Sequence, residues 1–98
     1  MAYTPIHPGD ILAEKLDKLE MSAAELARAV HVPTNRISQI IAGKRSITAD
    51  TALRLGRWFG ISPHVWLKLQ HSYELYMARK KIASLLDKIS PRSPGQNR

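Results

Sequence analysis

The chain contains no cysteine. That excludes a disulfide framework and any metal site built on thiolates, and it suits a reducing cytoplasm. No apolar run approaches the roughly 20 residues of a membrane-spanning helix, and the first residues lack the basic-then-apolar pattern of a secretory leader. Neither a membrane nor export is therefore expected. No apolar–polar alternation lasts long enough for a strand and no internal repeat is present, so the sequence reads as all-helical. It also lacks a glycine-rich phosphate loop and a nucleophile motif, which argues against an enzyme. Acids are scarce, with 8 Asp+Glu against 15 Lys+Arg, a formal net charge of +7 and a pI near 10.2. At 98 residues there is room for one domain with one modest core.

The shortage of acids is uneven. Residues 1–25 hold two bases and five acids, whereas the remainder holds thirteen bases and three acids. Between Arg28 and Arg57 the only acid is Asp50. Mere solubility does not require such clustering; a polyanion-binding surface does.

The stretch Ser22–Arg45 carries most of the information. Ser22 followed by Glu25 is a capping box that starts a helix. Leu26, Ala27 and Val30 give it an apolar stripe, with the small Ala27 admitting a second helix at close range. A turn follows at His31-Val32-Pro33. His31 stands where a left-handed residue is wanted, and histidine tolerates positive φ better than most non-glycine residues. The second helix opens at Pro33 or Thr34 and buries Ile37, Ile40 and Ile41. Its opposite face carries Thr34, Asn35, Arg36, Ser38 and Gln39. Asn and Gln can bond adenine edges in pairs, Arg can do so with guanine, and Thr offers a hydroxyl and a methyl. Gly43 closes the helix, and Lys44 and Arg45 follow where they can grip phosphates. A solvated amphipathic helix accounts for Arg36 or Ser38 alone; the whole constellation fits a helix entering a major groove.

Around this pair, the first helix spans about Pro8 to Leu19, with Ile11, Leu12, Leu16 and Leu19 inward. Residues 3–8 before it should be extended, since prolines restrict their predecessors. A fourth helix starts at the N-cap Thr48, buries Ala52, Leu55, Gly56 and Phe59, and stops at Gly60. Arg54 and Arg57 fall on its outer side and read as solvated charges. A fifth begins at Ser62-Pro63 and can run to about Ile89. Trp66, Leu69, Tyr73 and Tyr76 form one stripe over the core. Leu75, Ala78, Ile82, Leu85 and Ile89 form a second, which suits either local packing or a partner helix. The sequence thus implies a single five-helix domain over 1–89, with the helix-turn-helix at 22–43 and a long C-terminal helix. Residues 90–98, with Pro91, Pro94 and Gly95, read as a disordered tail.

The helix pair resembles the Xre/Cro family of phage-repressor-like domains. Four linked segments narrow the resemblance: His7–Leu12, Val32–Ile37, Gly43–Leu55 and Gly60–Gln70 are similar to the HigA family of addiction-module antidotes, over about residues 5–80. Departures are His31, where glycine is usual, and His64, where an acid is common. The resemblance implies an antitoxin that neutralises a RelE-like mRNA interferase toxin and, as a homodimer, binds palindromic double-stranded operator DNA to repress its own operon. By position, Thr34, Asn35 and Gln39 would then contact bases. Ser22, Ala23 through its backbone, Lys44 and Arg45 would contact phosphates, with Arg36 and Ser38 less closely matched. No cofactor, metal or catalytic residue is implied. The acidic outer face of the first helix, Asp10, Glu14, Asp17 and Glu20, suits a basic toxin as well as it suits solvent.

Three other readings share parts of this sequence. A stand-alone Xre-type repressor has the same DNA features. His64 and His71 with Glu74 give only an incomplete metal set. Arg79-Lys80-Lys81 among apolar residues could lie on a membrane surface, but core packing explains the neighbouring aromatics more simply.

Overall fold

The first helix begins because His7 caps it. Its backbone is extended, and its Nδ1 accepts the Gly9 N–H at 2.9 Å, with Pro8 at the first helical position. This is a computed structural model that describes residues 5–92; Tyr3, Thr4 and residues 93–98, which the sequence reading placed in an extended segment and a disordered tail, lie outside them. Five helices and no strand are found among the described residues: α1 (Pro8–Leu19), α2 (Ala23–Val30), α3 (Thr34–Ile41), α4 (Ala49–Phe59) and α5 (Pro63–Leu86). The all-α, five-helix expectation holds.

Helices α1 to α4 close around Leu12, Leu16, Leu26, Ala27, Val30, Ile37, Ile40, Ile47, Ala52 and Leu55, and α5 seals the cluster with Trp66. Each fully buried Leu or Ile here contributes about 1.5–3 kcal/mol through removal from water. Gly9 is where α1 passes over α3: a Cβ at that position would run into the Ile40 carbonyl. That contact fixes how closely α3 approaches α1.

Two features differ from the sequence reading, the burial of Leu19 and the end of α5. Leu19, assigned to the buried stripe of α1, is half exposed at the last helical position, just before the left-handed Glu20 (φ 54°). Helix α3 starts at Thr34, one of the two expected starts, with Pro33 as its N-cap at ψ 148°. Helix α5 stops at Leu86 instead of Ile89, and Ile82 already leaves helical geometry at φ −113°, ψ 21°. Beyond Tyr76 every described residue of α5 is exposed, so nothing packs there to hold the helix straight.

Candidate nucleic-acid interface

The helix-turn-helix is held rigid from three directions. At its start, Ser22 Oγ accepts the Glu25 N–H at 3.1 Å while Glu25 Oε1 accepts the Ser22 N–H at 2.8 Å, completing the capping box. Those bonds, the backbone one first, lower the Glu25 pKa. At the turn, His31 takes the left-handed conformation at φ 63°. Its carbonyl and that of Val30 are two of the acceptors that a helix C-terminus leaves open, and Arg54 Nη1 donates to both, at 3.1 and 2.8 Å. Arg54 is therefore a cap for α2 as well as a surface charge, which its outer-face position in the sequence did not reveal.

The third hold is an ion-pair chain. Asp50 Oδ1 accepts from Arg54 Nε at 2.7 Å and from Arg36 Nη1 at 2.9 Å. These contacts, Arg54 ahead of Arg36, depress the Asp50 pKa. One carboxylate thus joins α3 to α4 and steadies the arginine that caps α2. Arg36, one of the candidate readers, is engaged within the protein.

The outward face of α3 carries the remaining polar side chains. Thr34, Asn35 and Ser38 are exposed and Gln39 is half exposed, while Ile37 and Ile40 are fully buried beneath them. Ser38 Oγ spends its proton on the Thr34 carbonyl at 3.2 Å. Gln39 Oε1 accepts from Arg45 Nε at 3.0 Å. Because that nitrogen only donates, the amide's orientation is settled and its NH₂ faces away. Thr34 and Asn35 carry no such tie. Gly43 at φ 76° ends α3 and releases the chain into the exposed loop that carries Lys44 and Arg45. Gly43–Ile47 is then drawn back onto α5, where the buried Gln70 accepts the Ile47 N–H at 2.8 Å.

The structure thus gathers Thr34, Asn35, Gln39, Lys44 and Arg45 along one helix and the loop after it. Ser22 and Ala23 stand at the far end of α2 from the turn, about 12 Å along that helix. There the first helical N–H groups and the positive end of the dipole favour an anion. Residues of opposite polarity thus share each helix: apolar side chains seat it, and donors and acceptors suited to base edges and phosphates face out.

Comparison with known proteins places the fold in a family. The helix-turn-helix family profile (HTH_3) matches residues 12–66. An addiction-module antidote of the HigA family from Coxiella burnetii superposes with a TM-score of 0.87 at 52% identity, covering 91% of this chain and 99% of that one. The Pseudomonas aeruginosa antitoxin HigA, solved with the higBA promoter, gives 0.87 at 38% identity over the same shares. Virulence-associated protein I of Dichelobacter nodosus is 48% identical across 82% of this chain and 75% of its own length. The chain belongs to the HigA family of addiction-module antidotes, DNA-binding regulators and not enzymes, built on an Xre-type helix-turn-helix.

Proposed function

We propose that this chain is the antitoxin of a type II toxin–antitoxin pair that represses its own operon from operator DNA. The observation that carries the DNA reading is the exposed donor–acceptor face of α3, seated on buried Ile37 and Ile40 and continued by Lys44 and Arg45. In this reading Thr34, Asn35 and Gln39 meet base edges. Ser22, the Ala23 backbone, Lys44 and Arg45 hold phosphates. Arg36 and Ser38 act from the same helix, Arg36 through its grip on Asp50 and Ser38 from the groove-facing side. The bound form is a homodimer with its two α3 helices about one DNA turn, ~34 Å, apart. Leu75, Ile82 and Leu85 on the far part of α5, with Ile89 just past its end, supply exposed apolar surface for self-association.

The second half of the proposal is neutralisation of a RelE-like mRNA interferase in the cytoplasm. Asp10, Glu14, Asp17 and Glu20 are all exposed on or next to α1, an acidic face for a basic toxin. The test is growth after inducing the small open reading frame adjacent to this gene, with and without this chain, followed by co-purification. Arrest relieved by the chain, with the two proteins eluting together, supports the antitoxin. No arrest and no complex would leave a stand-alone Xre-type repressor.

A further inference from the structure

Gln70 is 2% exposed, a polar side chain among the apolar residues that α5 lays on the core. Both ends of its amide are used. Its Oε1 accepts the N–H of Ile47, itself buried, at 2.8 Å, and its Nε2 donates to Glu74 Oε2 at 3.0 Å. The partners fix the amide's orientation, since a backbone N–H only donates and a carboxylate only accepts. The same Glu74 oxygen also accepts the Ser46 hydroxyl at 3.3 Å. Two residues one turn apart on α5 thereby hold two consecutive residues of the loop after α3. The neighbour of that pair, Arg45, is the residue that orients the Gln39 amide at 3.0 Å.

We propose that Gln70 and Glu74 are positioning residues for operator recognition: acting through Ser46 and Ile47, they set the loop that carries Lys44 and Arg45 and, through Arg45, the base-reading amide of Gln39. The inference rests on the DNA reading above and deepens it by giving α5 a part in specificity. Neither residue touches DNA in this scheme. Glu74 is a carboxylate beside a phosphate-binding loop, so plain electrostatics makes it a handicap for DNA binding. Its contribution must then be geometric, and that distinguishes the two effects by experiment.

Both bonds to Glu74 fall on one oxygen, so a glutamine there can keep them with its single carbonyl. Glu74→Gln and Glu74→Ala remove the same charge, but only the alanine removes the acceptor. Wild type and both variants are titrated, by fluorescence anisotropy, against a duplex of the promoter operator and a scrambled duplex of equal length. Amide exchange at Ser46 and Ile47 is followed without DNA. On scrambled DNA, where Lys44 and Arg45 hold phosphates but Gln39 reads no base, Glu74→Ala should bind less than about threefold more weakly than Glu74→Gln. On the operator Glu74→Ala should bind roughly 3- to 10-fold more weakly than Glu74→Gln, the scale of one hydrogen bond. Its Ile47 amide should exchange faster. Equal operator affinities for the two variants overturn the proposal, whatever the exchange rates. A wild-type chain that prefers neither duplex overturns the DNA reading itself, and the two failures are told apart by that arm.

Discussion

The left-handed turn at His31 offers a quantitative test of how the helix pair is held. A non-glycine residue at φ 63° is strained by its Cβ against the following carbonyl, by about 1–2 kcal/mol for ordinary L-residues and less for histidine. Replacing it with glycine removes the strain but adds freedom to the unfolded chain, which costs about 0.5–1 kcal/mol. The side chain is exposed, and the two bonds from Arg54 go to backbone carbonyls that glycine retains. His31→Gly should therefore stabilise the fold by about 0.5 kcal/mol, a rise in Tm of roughly 2–4 °C for a domain this size. His31→Ala keeps the Cβ and loses whatever local polarity favours histidine there, so stability should run Gly above His above Ala. Thermal melts and urea titrations of the three proteins read this order directly. Operator affinity should stay within about twofold, because α2 and α3 keep their relative pose. A glycine variant less stable than wild type would refute the reasoning and show that the imidazole makes a contact worth more than the strain.

Asn35→Ala and Gln39→Ala should each weaken operator binding by about 1–3 kcal/mol and leave scrambled DNA unaffected; equal losses on both duplexes would make them positioning contacts. Lys44→Ala should weaken binding to all sequences and reduce the slope of log affinity against log salt by about one unit, and an unchanged slope would remove Lys44 from the phosphate contacts. Asp50 has a pKa lowered below its ordinary 3.8, so its ion pairs stabilise the fold fully above that value and cease to as pH falls through the lowered one. The stability gap between wild type and Asp50→Asn, measured by urea titration, should accordingly be largest near pH 7 and close under strong acid; a gap that widens on acidification would contradict this.

Local chemistry made much of this architecture readable. The capping box at Ser22 and Glu25, the stop at Gly43 and the N-cap Thr48 are contacts within a few residues, and their sequence spacing carries them. The polar face of α3 was legible for the same reason, since 3.6-residue periodicity separates Ile37 and Ile40 from Thr34, Asn35 and Gln39. What escaped depends on residues far apart in sequence. Arg54 reads as a solvated charge on α4 until the fold brings it to the carbonyls of Val30 and His31. Gln70 interrupts no pattern strongly enough to look buried, although it lies four residues after Trp66 and three before Tyr73, within the stripe that covers the core. That placement was the available signal. Leu19 fails in the opposite sense: its spacing suits burial, yet it stands half exposed at the last position of α1, where no element packs over it.

The central claim, that α3 reads DNA from a symmetric pair of chains, is tested most directly by footprinting the purified protein on its own promoter. The account predicts one protected site composed of two inverted half-sites centred roughly 34 Å, or one helical turn, apart, with Asn35→Ala losing protection while retaining its fold. Protection of a single half-site, or binding to promoter and scrambled DNA with equal affinity, would contradict it.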